Sequence, residues 1–138
     1  MKTSTVTLAL CQWLADNDFG IYRPNTPYQK NERAITVRRL PTAPEWALAV
    51  APYGLDEDLV LPNRLINVQL RFRTGKGQPL TTVDDWADDV AEALHMRHRF
   101  NMGGLHVQRA VRTIIAPLGA DENGREERAD SYALLLMN

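Results

Sequence analysis

The chain has little of several things, and each scarcity excludes a class of protein. A single cysteine, Cys11, stands among 138 residues, so no internal disulfide can form and a structural zinc site of several thiolates is out of reach. Long apolar runs are missing as well. Nothing approaches the roughly 20 consecutive apolar residues that a helical membrane span needs, and no membrane partner is expected. Net charge is close to absent: 16 Lys+Arg against 17 Asp+Glu leave a formal charge of −1, whereas a sequence-independent nucleic-acid binder carries a basic excess. Met1–Lys2 leads into a segment holding Thr5, Thr7, Gln12 and Asp16, which does not read as a secretory leader.

What is present describes one ordinary folding unit. The hydrophobic share is 44% and the charged share 24%, with 8 Gly and 8 Pro, enough to close a core without staples and too apolar for a disordered chain. No internal repeat and no domain-scale linker interrupts it, so residues 1–138 are expected to form a single domain.

Val6, Ala9, Leu10, Trp13 and Leu14 recur at helical spacing, predicting a helix over about Ser4–Ala15 with Ser4 as its cap. Residues 17–32, with Gly20, Pro24 and Pro27, read as a long loop with a short extended piece at Tyr22. Three strands are expected next. Ala34–Leu40 and Glu45–Ala51 are bracketed by Pro41 and Pro44, predicting a tight hairpin. Arg64–Thr74 puts Ile66, Val68, Leu70 and Phe72 on one face and Asn67, Gln69, Arg71 and Arg73 on the other, as in an antiparallel sheet with one apolar face. Pro52–Asn63, with Asp56, Glu57 and Asp58, reads as a loop longer than a hairpin needs.

The second helix is expected over Thr82–His98. Val83, Trp86, Ala87, Val90, Ala91 and Leu94 make its apolar stripe, and Thr82 with Asp85 resembles a capping box. Leu105–Ala116 and Ser131–Met137 read as closing strands around a polar turn with the hairpin signal Glu122-Asn123-Gly124. The predicted architecture is α+β: a mainly antiparallel sheet of about five strands with two helices on one face, in the order α-β-β-β-α-β-β.

Chemistry-bearing motifs are weak. Asp84, Asp85, Asp88 and Asp89 could share Mg²⁺, but acidic residues in the first turns of a helix are explained by its dipole. His95, His98 and His106 near Asn101 lack the spacing of a zinc site. Gly75-Lys76-Gly77 lacks the leading glycine and trailing Ser or Thr of a phosphate loop. Cys11, mid-helix, reads as a packing residue. No catalytic residue, metal ligand or cofactor-binding residue is assigned, and the chain is not expected to be an enzyme.

The distribution of charge is more informative than its sum. Leu61–Val83 holds Arg64, Arg71, Arg73 and Lys76 without an acid; His95–Ala120 holds Arg97, Arg99, Arg109 and Arg112, again without one. Acids gather at Asp56–Asp58, Asp84–Glu92 and Asp121–Glu127. Arginine, the cation suited to bidentate pairing at interfaces, supplies 13 of the 16 bases. Such segregation suits head-to-tail contact between identical copies, with intramolecular pairing as the equal alternative. The candidate subunit-interface residues are Arg71, Arg73, Arg109, Arg112, Asp84, Asp85, Asp88 and Asp89.

In order along the chain, the amphipathic first helix, Ala34-Ile35-Thr36-Val37, Trp46-Ala47-Leu48-Ala49-Val50, the Tyr53-Gly54 turn, Val68-Gln69-Leu70-Arg71-Phe72-Arg73 before a glycine, and the Trp86 helix resemble the small minor-capsid or tail-terminator proteins of long-tailed bacteriophages. The resemblance implies a virion protein made in the host cytoplasm. It implies a homo-oligomeric ring, typically a hexamer, that caps the major tail tube protein and joins the head-tail connector. DNA would pass through the lumen unread, and no cofactor is implied. Asp56, Glu57, Asp58 and Lys76 then become the candidate tube-contacting residues. Another neck or head-completion subunit and a small nucleic-acid-binding module are the alternatives; a Mg²⁺-dependent enzyme ranks last.

Overall fold

The computed structural model describes residues 1–57 and 63–137, with 55–57 and 63 as backbone alone. Two helices, α1 (Thr3–Asp16) and α2 (Thr82–Leu94), accompany seven strands: β1 (Ile21–Tyr22), β2 (Ala34–Val37), β3 (Ala47–Glu57), β4 (Asn63–Arg73), β5 (Arg97–Met102), β6 (Leu105–Ala120) and β7 (Glu126–Met137). They form one sheet in the order β1-β2-β3-β4-β7-β6-β5, curled into half a barrel.

This corrects the expected five-stranded, mainly antiparallel sheet: the order is α-β-β-β-β-α-β-β-β and the sheet is mixed. The hairpin expected between Ala34–Leu40 and Glu45–Ala51 does not form. β2 instead pairs parallel with β3, Ala34 opposite Ala47 and Val37 opposite Val50, and β1 adds parallel to β2. The strand β2 stops at Val37 because Arg38 takes φ 69°. The chain then returns through residues 38–46 to start β3 level with the start of β2, the crossover a parallel pair requires.

The second correction concerns the expected Pro52–Asn63 loop. β3 continues to Glu57 and pairs with β4 through Gly54↔Asn67, Asp56↔Leu65 and Glu57↔Arg64, with a register shift between Pro52 and Gly54. That bulge absorbs the proline, which a regular central ladder would not tolerate. Asp58 lies outside the described residues.

The third is at the end of α2. The helix stops at Leu94, His95 is extended, and Met96 has φ 61°. Arg97–Met102 then pairs with β6 around Gly103-Gly104, both at positive φ. Phe100 and Met102 alternate inward, a period of two that continues no helical stripe. The last two strands are also longer than expected, β6 by four residues and β7 by five.

One face of the sheet carries the core. Ile66, Val68, Leu70 and Phe72 of β4 and Tyr132, Leu134 and Leu136 of β7 meet Val6, Leu10, Trp13 and Leu14 of α1 and Val83, Trp86, Val90 and Leu94 of α2 in one buried cluster. Trp86 stands edge-on to Phe72 at 5.2 Å between centroids, and its indole N–H donates to the Phe19 carbonyl at 3.0 Å. Burial of this size is the main term holding the fold together.

Candidate assembly surface

The helix α2 lays its acidic first turns over β7, and the contact is ionic. Arg128 of β7 donates to Asp130 (Nε–Oδ1, 2.8 Å), to Asp88 (2.8 Å) and to Asp84 (3.0 Å). Arg112 of β6 reaches Asp88 at 3.1 Å and Asp130 at 3.4 Å. Asp130 is fully buried, and both of its carboxyl oxygens accept from these guanidinium groups, the pairing that a buried acid requires. Burial works against the Arg128 charge, but its bonds to Asp130, Asp88 and Asp84 prevail and hold the guanidinium above its ordinary pKa. Arg128 in turn, with Arg112 assisting against the opposing effect of burial, holds the Asp88 carboxyl below the ordinary range. His95 joins the edge of the cluster, its Nδ1 accepting the Arg112 backbone N–H at 2.9 Å.

Five of the eight candidate interface residues therefore spend their polar groups within the chain. Asp84, Asp88 and Arg112 belong to this cluster. Arg71 pairs with Glu127 at 2.7 Å. Arg73, nearly buried, donates to the carbonyls of Glu45 (2.8 Å) and Pro44 (2.9 Å); desolvation lowers its pKa. The remaining three differ. Asp85, Asp89 and Arg109 are exposed, and none of them makes an ion pair among the described residues. Sequence reasoning missed Arg128 and Asp130, the centre of the cluster, because both lay at the edge of a segment read as turn. An Arg-x-Asp pair in period two was the available signal.

The candidate tube-contacting residues are separated. Lys76 is exposed beyond the end of β4, its backbone N–H donating to Glu45 Oε2 at 3.1 Å, beside the β6–β7 turn. Asp56 and Glu57 end β3, level with the start of β4. The 11 residues of β4 lie between, roughly 33 Å at about 3.3 Å per residue. The two sets occupy opposite ends of the sheet.

An exposed apolar stretch on β6 was not anticipated. β5 covers only the first part of β6, ending at the pair Arg97↔Ala110. Beyond it, β6 pairs with β7 on one side, and on the other no strand among the described residues pairs with it, the Arg112 backbone N–H there being taken by His95 Nδ1. Ile114, Ile115 and Leu118 are 54%, 49% and 45% exposed. Ile115 pairs with Asp130 and Ile114 with Ser131, so the two isoleucines lie on opposite faces of the arm. Across the molecule, a crevice of about 330 Å³ runs between the start of α1 and the β2–β3 pair, lined by Thr3, Arg38, Pro52, Tyr53, Gly54 and Ile66. A smaller adjoining hollow includes Leu8 and Val37.

Elsewhere, Cys11 is buried and its thiol is pushed up to about 12 by desolvation, so it is no nucleophile near neutral pH. Arg33 stacks 4.3 Å from the Trp46 ring centroid and 5.0 Å from that of Trp86, closing the core beneath α2. Among the described residues, no group of three or more His, Cys, Asp or Glu side chains is arranged to hold a metal, and no helix is long and apolar enough to cross a membrane. Comparison with protein-family models and with curated proteins finds no match to this chain in either.

Proposed function

We propose that the chain is a structural subunit of a bacteriophage virion, a tail terminator whose copies form a ring that caps the tail tube and joins it to the head-side connector. The observation that carries the reading is the β6 arm. Three large aliphatic side chains on one open strand edge are about half exposed, and apolar surface of this kind marks a place where another chain sits. The resemblance in element sequence supplies the identity of the assembly. Asp85, Asp89 and Arg109, exposed and in no ion pair among the described residues, add charged surface suited to aligning one copy against the next. DNA would pass through the lumen without base-specific contact. The mature location would be the neck of the virion.

The test is mass. Native mass spectrometry and light scattering on the purified chain, alone and with tubes of major tail protein, should show a closed oligomer, either free or formed at tube ends. A chain that stays monomeric and leaves tube growth unchanged would remove the reading.

A further inference from the structure

We propose that the outer face of the sheet, turned away from both helices, holds the phosphate backbone of double-stranded DNA, with the β5–β6 hairpin as its basic end. This goes beyond the ring reading: it assigns a surface and a partner to the single chain, whether or not copies assemble.

Register puts the residues together. Phe100, Met102, Val107 and Ala110 are buried in the core. The pairs His98↔Arg109 and Asn101↔His106 alternate with them, and these four side chains are exposed, so they stand on the opposite face. Arg109 lies against Leu135 of β7. Further along β7, Ala133 lies against Asn67 and Ser131 against Gln69 of β4, which carries the same face across to β4. Of the acids on these four strands, Glu126, Glu127 and Asp130, only Glu127 has the period of this face, and Arg71 pairs with it at 2.7 Å. What the face offers a ligand is N–H groups from amides, imidazoles and guanidinium groups, the donors that position a protein on phosphate oxygens.

The charge is local. No acid occurs between Glu92 and Asp121. Arg97, Arg99 and Arg109 of the hairpin are exposed. Arg97 stacks 5.1 Å from the Phe100 ring centroid and Arg109 reaches Met96 Sδ at 3.9 Å, but none of the three makes an ion pair among the described residues. The exposed acids Asp85, Asp89 and Glu92 belong to α2, which packs on the other face of the sheet. A net charge of −1 over the chain does not cancel such a patch, because exposed charges more than about 10 Å apart are largely screened at 0.1 M salt. Arg99 also has φ 46°, so an arginine stands where glycine would be unstrained. A protein contact has an apolar centre, yet no large apolar side chain is exposed on the paired parts of β5 and β6. Closely and evenly spaced phosphates match this face better.

The test is fluorescence anisotropy of a labelled duplex of about 30 base pairs, of arbitrary sequence, titrated with the purified chain from about 50 mM salt upward. Sequence-independent binding that weakens with salt is expected. Arg99→Gln with Arg109→Gln removes two exposed guanidinium groups that make no ion pair among the described residues, so the circular dichroism spectrum should not change. Binding should weaken by about tenfold or more, and the log–log salt slope should fall by about two. Arg38→Gln with Arg39→Gln removes the same charge from the exposed turn after β2 and should leave binding nearly unchanged. No binding by the unaltered chain at the lowest salt overturns the inference. So does an equal loss in the two double variants, which would make binding a matter of net charge. Labelled polyglutamate held as tightly as the duplex, and lost in the same hairpin variant, would give the face to an acidic protein and overturn the DNA assignment. The ring reading is decided separately, by mass.

Discussion

The strands β6 and β7 lie side by side in one sheet, hydrogen-bonded along most of their length, yet they have opposite fates. Every residue of β7 from Glu127 to Tyr132 is buried, whereas almost every residue of β6 from Thr113 to Ala120 is exposed. The sequences do not forecast this: the buried stretch contains Glu127, Arg128 and Asp130, and the exposed one contains Ile114, Ile115 and Leu118. Polarity has been exchanged between interior and surface. The difference teaches that α2 decides the matter. Where its acids reach β7, buried charge is matched and contributes to the fold; where its cover ends, apolar side chains remain for another chain to bury.

The comparison breaks most visibly at Asp130. Asp130→Ala leaves Arg128, with a side chain only 4% exposed, without its innermost partner, and a loss of about 3–5 kcal/mol in urea unfolding is expected. The paired replacement Arg128→Met with Asp130→Leu should recover much of that loss, because a matched apolar pair strands no charge. If the double variant is as damaged as the single one, the cluster is not acting as a closed electrostatic unit.

The covered half of β6 gives the next effect. Gly103 turns the β5–β6 hairpin at φ +55°, and an added Cβ would lie 2.5 Å from the Ala9 carbonyl oxygen and 2.8 Å from its Cα. Gly104 has φ +92° but nothing within 4 Å. Gly103→Ala should therefore cost about 2–4 kcal/mol, combining left-handed strain with overpacking against α1, and Gly104→Ala only about 1 kcal/mol. Equal losses would mean that the hairpin does not press on the helix.

Acid sharpens the role of α2. Because Arg128 above all holds the Asp88 carboxyl below its ordinary value, that carboxylate contributes stability above the unfolded-state value near 3.9 and loses it as pH falls through the lower folded value. Unfolding midpoints of the unaltered chain and of Asp88→Asn should differ most near neutrality and converge in strong acid. A gap that persists at about pH 2 would assign the effect to packing rather than charge.

Single elements are legible in residue pattern, while the sheet that joins them is not, for physical reasons. The helix α1 and the strand β4 are found to within a residue because their periods are clean. In β4, Ile66 to Phe72 alternate without interruption. Strand direction is not legible: Pro41 and Pro44 announce a change of course but not whether the chain doubles back or crosses over. The short extended piece expected at Tyr22 is the strand β1, whereas Arg97–Met102, expected as the end of a helix, is a strand chiefly because β6 pairs with it. The interface candidates were identified by charge type, and charge type does not say which arginine is already spent. Arg71 and Arg109 look alike in sequence; one pairs with Glu127, and the other, among the described residues, reaches a methionine sulfur, Met96 Sδ, at 3.9 Å and no acid.

The smallest expected effect on stability is the most informative. Leu134 of β7 is fully buried, and Leu134→Ala should cost about 2–5 kcal/mol. Ile115 of β6 is larger than alanine by nearly the same volume but already stands half in water, so Ile115→Ala removes little that the lone chain has buried. A change within about 0.5 kcal/mol is expected. If the arm exists to be covered by a second copy, the missing free energy must reappear on association: Ile115→Ala should leave the melting curve of the monomer in place and weaken the oligomer, read as a shift of the assembly midpoint to higher protein concentration. A large loss in the isolated chain, with assembly untouched, would place Ile115 in the fold rather than at the contact, and the contrast between the two strands would then be one of degree.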